Sequence, residues 1–248
     1  MLEITEVSRH YGDFVAVNQL SLSVAEGTIY GFLGPNGAGK TTTMKMICGL
    51  LKPTNGSIVV DGFNVVAEPI QVKRRIGYVP DRPHLYEKLT AIEYMYFIGG
   101  LYGIRRDQGQ KRARALLEQF GLGRVTDKLV ESFSHGMKQR LVMASVMLHR
   151  PRLMVVDEPM VGLDPKGARL LKDVLKHESQ ENGMTVLLST HTLDVADEVC
   201  EQVAVINHGQ LVARGTPDEL RQQTGTQGQR LEEVFLQLTQ ESVQEPKD

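Results

Sequence analysis

Residues 34–41 read GPNGAGKT, between a short apolar run at 29–33 and a stretch of helical character. Two glycines with four residues between them, followed by lysine and threonine after a strand and before a helix, make a phosphate cradle. Gly34, Gly37 and Gly39, interleaved with Pro35, Asn36 and Ala38, let backbone N–H groups turn inward around β and γ phosphates. The helix N-terminus adds positive potential there. Lys40 supplies a mobile point charge, Thr41 offers a hydroxyl to Mg²⁺, and Thr42 reaches the α-phosphate side. Kinases, GTPases and motor ATPases share such a loop, so it names a ligand class and not a reaction.

Three further segments narrow the chemistry. In LMVVDEP, Asp157 ends an apolar run and is placed to hold a water on Mg²⁺. Glu158 follows it and, along an extended chain, points the other way, where it would act as general base on a water in line with the γ phosphate. His191, in LLSTHT, ends another apolar run. If that strand lies beside the one ending at Asp157, the imidazole faces the crevice where open α/β sheets bind ligands and hydrogen-bonds the γ phosphate. In ESFSHGMKQR, Ser134 and Gly136 open a helix and resemble a second phosphate turn, yet the turn contains neither lysine nor metal ligand. The chain therefore carries one full cradle and one fragment.

Positioning these groups requires particular elements. Leu2, Ile4, Leu22, Val24, Ile58 and Val60 alternate with polar neighbours and predict half-buried antiparallel strands in an N-terminal β layer. The apolar runs at 29–33, 153–156 and 186–188 each lead into a chemically loaded turn and predict buried parallel strands. Residues 85–150 switch to helical spacing, opened by a capping box at Thr90 and Glu93. Met137, Leu141, Ala144 and Leu148 predict a helix that buries one face and presents its N-terminus outward. Asp164 before Pro165, and Thr216 with Pro217 and Glu219, read as helix starts. A hairpin is expected over 202–215, a polar linker at 222–229, an amphipathic helix carrying Leu231, Val234, Phe235 and Leu238, and a frayed tail at 241–248.

Bulk composition agrees with a folded α/β chain: 248 residues, 41% hydrophobic, bury a sizeable core. A net charge of −2 lacks the basic excess that phosphate-backbone binding requires, which argues against a nucleic-acid partner. Cys48 and Cys200 form no C-x-x-C pair and fit a reducing cytosol, and the longest uncharged stretch, 89–104, is interrupted by Glu93.

GPNGAGKTT, then SHGMKQR with LMVVDEP, GLDP and STH in this order resemble the ATP-binding subunit of ATP-binding cassette (ABC) transporters over about residues 2–220. The resemblance implies a P-loop NTPase core with a mostly parallel sheet, an N-terminal antiparallel β layer and an inserted helical lobe. It implies an ATPase domain over 1–220 with the lobe at about 85–150, then the linker, helix and tail to 248. It implies ATP and Mg²⁺, and a second cassette chain, identical or paralogous, packed head to tail so that Ser134 and Gly136 serve the partner's nucleotide, with Asp164 at the seam. Tyr11 matches the adenine-stacking aromatic.

Two departures stand out. Phe133, His135 and Met137 replace the usual residues of the signature, and Asp81 stands where the family has glutamine, at the metal or attacking water. An aspartate there binds Mg²⁺ or its waters but donates no hydrogen bond to phosphate. The acidic residue, Lys138 and Arg140 beside the signature, and LEEVF resemble exporters of drugs, lipids or glycans. The family further implies an integral membrane permease as partner, a place on the cytoplasmic face of the cell membrane, and a groove over 81–96, including Leu85, Tyr86, Leu89 and Tyr94, that receives the permease. The rival reading, a soluble cassette acting on ribosomes or DNA, is disfavoured by the charge balance and by a single cassette in 248 residues.

Overall fold

The computed structural model describes residues 1–226 and 230–241. Its strands are β1 (Leu2–Tyr11), β2 (Phe14–Val24), β3 (Ile29–Leu33), β4 (Asn55–Val60), β5 (Phe63–Asn64), β6 (Ile76–Val79), β7 (Leu153–Asp157), β8 (Thr185–Thr190), β9 (Gln202–Asn207) and β10 (Gln210–Gly215). Its helices are α1 (Lys40–Ile47), α2 (Pro69–Lys73), α3 (Ala91–Leu101), α4 (Arg106–Gln119), α5 (His135–Met147), α6 (Pro165–Asn182), α7 (Leu193–Val199), α8 (Pro217–Gln223) and α9 (Leu231–Glu241).

Two sheets follow from two kinds of strand. An antiparallel sheet of order β2-β1-β4-β5 uses the alternating strands, with Leu2 opposite both Val24 and Val60. A second sheet, β10-β9-β3-β8-β7-β6, is parallel except for the β9–β10 hairpin. Its central strands are buried on both faces, and the period of two sends successive side chains into different cores. Tyr30, Phe32, Val155 and Leu187 join the antiparallel sheet and α1 in one core. Ile29, Leu33, Met154, Val156, Val186 and Leu188 join the lobe, α6 and α7 in the other. Each fully buried Val, Leu or Ile contributes about 1.5–3 kcal/mol, so this two-sided burial fixes where the strand ends lie.

The lobe is α3 to α5, and the capping box at Thr90 and Glu93 is present with both halves made. Helix α5 differs from the expected one-faced helix. Leu141, Ala144 and Leu148 are buried, but so are Gln139, Val142, Met143, Ser145 and Met147, because α5 sits among α3, α4, α6 and β6. Tyr94 is likewise in the lobe core at 5% exposure, its hydroxyl bonded to Ser145, and takes no part in an open groove. At the surface of this segment Tyr86 and Phe97 are both exposed and edge-to-face at 4.9 Å, with Leu85 and Leu89 half-buried behind them.

Beyond the hairpin, Thr216 and Glu219 cap α8. Gln222 and Gln223, expected in the linker, end that helix, and 227–229 lie outside the described residues. Helix α9 buries Leu231 and Val234 in the same core as the lobe, and residues 242–248 of the expected tail lie outside the described residues.

Candidate active site

Strand β3 delivers the chain to the glycine-rich loop, and α1 begins at Lys40. Gly39 has φ 103°, and a β-carbon on it would stand 2.6 Å from the Ala16 carbonyl oxygen, so only glycine lets the loop close against β2. From behind, the tip of the β9–β10 hairpin braces the loop: the Gly209 N–H donates to Ala38 O at 3.0 Å, and Gly209 O accepts from the Asn18 N–H at 2.9 Å.

Lys40 is 6% exposed and its Nζ donates to the carbonyls of Gly34 (2.7 Å) and Pro35 (3.2 Å). Burial lowers its pKa, while the nearby carboxylates of Glu158 and Asp157 pull it up. Next to it, Thr41 donates its hydroxyl to Asp157 Oδ2 at 2.8 Å. Asp157 is buried at the end of β7, and its other oxygen, Oδ1, accepts from the Ser189 hydroxyl on β8. The parallel pairing that sets Asp157 opposite Ser189 creates this contact.

Glu158 corrects one expectation. The chain is no longer extended there: β7 ends at Asp157, and Glu158 turns through φ 48° with its N–H donating to Ser189 O at 3.1 Å. Its side chain therefore comes over the same loop as that of Asp157, with Oε1 3.8 Å from Lys40 Nζ. Oε2 lies 2.9 Å from His191 Nδ1 and 3.3 Å from the His191 backbone N–H. A left-handed conformation at a glutamate is uncommon, and here a strand pairing and three contacts hold it.

An open cleft of about 330 Å³ gathers most of the expected residues: Tyr11, Pro35, Asn36, Gly37, Gly39, Lys40, Thr41, Thr42, Asp81 and Glu158 line it. Phe14 and Ala16, unforeseen, line it too. Gly34 and Ala38 sit beneath the loop, and Asp157 lies behind Thr41. Asp81 follows β6, is exposed, and turns Oδ1 back to the Arg82 N–H at 2.8 Å, leaving Oδ2 for the cleft. His191 stands behind Glu158 with half its side chain exposed.

Ser134, Gly136 and Asp164 do not line this cleft; they form a second locus. Ser134 caps α5, its oxygen accepting from the Met137 N–H at 3.3 Å, and is exposed. Gly136 abuts the turn after Glu158, where a β-carbon would stand 3.3 Å from Gly162 O. Asp164 ends that turn by capping α6 through Gly167 N–H at 2.9 Å. His135 lies beside Gly162, whose added β-carbon would overlap the imidazole at 2.3 Å.

Sequence reasoning missed Ser189, although a serine closing three apolar residues of a buried strand was its visible signal. It also missed Gly209, whose role no local pattern announces.

The model of the ABC transporter family matches residues 17–161. A linearmycin resistance ATP-binding protein of Bacillus subtilis (strain 168) is 35% identical over 245 residues, 99% of this chain and 76% of the relative. A daunorubicin/doxorubicin resistance ATP-binding protein of Streptomyces peucetius is 39% identical over 93% of this chain and 69% of its own length. Among solved structures, an ATP-binding subunit of an ABC transporter superposes with TM-score 0.89 at 34% identity, covering 96% of this chain and 99% of the other. A dimeric ATP-binding cassette in a post-hydrolysis state, bound to ADP and Pi, superposes with TM-score 0.79 at 26% identity over 87% of this chain and 98% of the other.

Proposed function

This chain belongs to the ABC transporter family as an ATP-binding, ATP-hydrolysing cassette, and from that premise we propose that two such chains, identical or paralogous, close head to tail on two ATP molecules and drive a separate membrane permease in the exporting direction. The observation that carries this reading is the separation of the two loci. Lys40, Thr41, Asp157 and Glu158 converge on one cleft, while Ser134, exposed, and Gly136, half-buried, open α5 outside it in a turn without a lysine or metal ligand. A second chain supplies the missing half of each centre.

Within the cleft the roles follow from geometry. Backbone N–H groups of 36–41 and Lys40 neutralise the phosphates. The oxygen set of Thr41, Asp157 and Asp81 fits Mg²⁺, which takes few protein ligands and keeps several waters; bound there, the ion would neutralise charge on the β and γ oxygens. Glu158 accepts the proton of the attacking water, and its contact with His191 holds the carboxylate in the left-handed turn. His191 then presents Nε2 toward the γ phosphate. Tyr11 stacks on adenine, and Ser134 and Gly136 hydrogen-bond the partner's γ phosphate with Asp164 at the seam.

Among the described residues no helix is long and apolar enough to cross a membrane. The permease of this proposal is a separate polypeptide, and the cassette works on the cytoplasmic face, where ATP is supplied. Tyr86 and Phe97 offer it an exposed apolar surface. Export rests on the relatives named for resistance to linearmycin and to daunorubicin and doxorubicin. Nucleic acid has no part in the proposal, in keeping with the net charge of −2. Sedimentation of Glu158→Gln with and without ATP tests it: ATP-dependent dimers are expected, and a monomer at saturating ATP overturns the head-to-tail reading. Co-purification from membranes then identifies the permease.

A further inference from the structure

Strand alternation sets Arg9 and Tyr11 on the same face of β1, two residues apart. The Arg9 guanidinium lies over the Tyr11 ring, 4.6 Å from its centroid. Its Nη1 donates to Lys52 O at 3.0 Å, in the segment just after α1. Its Nε is buried without a partner, so the group is held by the ring and by that one carbonyl. Across the hairpin, Phe14 pairs with Tyr11 in register and is 64% exposed in the same cleft.

We propose that Arg9 is a positioning residue for the nucleotide base: it clamps one face of Tyr11 so that the other face is presented to the base, and ties that platform to the chain that leaves the phosphate helix. This rests on the reading of Tyr11 as the base-stacking residue. Two physical effects combine. A cation over one face draws π density from the ring, so the opposite face stacks better on an electron-rich purine. A ring already fixed by Arg9 loses less rotamer freedom when the base arrives. The link from Arg9 to Lys52 O runs back through α1 to Lys40 and Thr41, so base and phosphates are held in one register. The phosphate contacts themselves are untouched by Arg9.

The test compares Arg9→Met, which keeps the aliphatic stem but not the charge, with Arg9→Lys, Tyr11→Ala and the double variant Arg9→Met with Tyr11→Ala. Two probes are used on the full chain: ATP, and inorganic tripolyphosphate, which has the phosphates without the base. Expected for Arg9→Met is a KM for ATP raised about three- to tenfold with kcat within about twofold, substantial rescue by Arg9→Lys, unchanged tripolyphosphate affinity, and no added effect in the Tyr11→Ala background. Equal weakening of ATP and tripolyphosphate would mean that Arg9 merely supports β1, and overturns the proposal. Unchanged KM in Arg9→Met beside a raised KM in Tyr11→Ala overturns it while leaving the base site standing. Unchanged KM in Tyr11→Ala removes the base reading itself, and the proposal with it.

Discussion

The glycine-rich loop and the start of α5 are both helix N-termini that could face phosphate, and they are built differently. Around Lys40 the fold converges several strand ends and turns on one cleft, so that a lysine meets one carboxylate, Glu158, and a threonine hydroxyl meets another, Asp157. Around Ser134 the caps are short in sequence: the serine caps its own helix, Asp164 caps the next, and Gly136 packs on the turn between Glu158 and Asp164. The first locus has a buried lysine, a hydroxyl and two carboxylates, to which the proposal gives the charge, the metal ligands and the base. The second opens a helix whose body is buried, with an exposed serine, a half-buried glycine and a carboxylate, Asp164, already engaged in capping α6. Under the proposed head-to-tail packing, the second locus completes a phosphate site held by the first of another chain.

The largest expected break in that contrast is Glu158→Gln: turnover falls about 10²–10⁴-fold while ATP affinity, measured by calorimetry, stays within a few-fold. Turnover close to wild type would remove Glu158 from the base role. Lys40→Ala acts on binding as well, with ATPase activity reduced about 10²–10³-fold and affinity lost alongside it. Smaller, and sharper for the comparison, is Ser134→Asp. Aspartate preserves the cap, so the melting temperature holds, but its charge repels the partner's phosphate, and turnover drops about tenfold or more with ADP affinity of the monomer unchanged. Mixing the Lys40→Ala and Ser134→Asp chains creates one intact composite site and should raise activity above either variant alone; no recovery counts against head-to-tail packing. Last, Asp164→Ala should cost about 1 kcal/mol of stability through the lost cap of α6, read by urea unfolding, and any loss of turnover beyond that marks its place at the seam.

Much of this was legible in residues. The runs at 29–33 and 153–156 appear as β3 and β7 almost to the residue, because strands buried on both faces and built from apolar residues stand out. In contrast, β8 extends beyond 186–188 through buried Thr185, Ser189 and Thr190, whose polarity hid its ends. The condition placed on His191 is met, since β8 does lie beside β7. Caps were legible because Thr90, Asp164 and Thr216 bond within three residues of themselves. What was hidden depends on neighbours distant in sequence. The direction of Glu158 is set by Ser189 and His191, more than thirty residues away. The burial of α5 on all sides comes from packing by four elements at once, which a single helical period does not encode. Phe14 entered the cleft because its hairpin partner is Tyr11.

Gly209 stands far downstream of the phosphate loop in the chain, yet a single methyl there would meet the Ala16 oxygen at 2.8 Å and the Val17 α-carbon at 2.9 Å. Its backbone is the peg between β2, where Ala16 lines the cleft, and the glycine-rich loop at Ala38. A change that seems to belong to a peripheral turn would thus unseat the nucleotide without altering any atom that touches it.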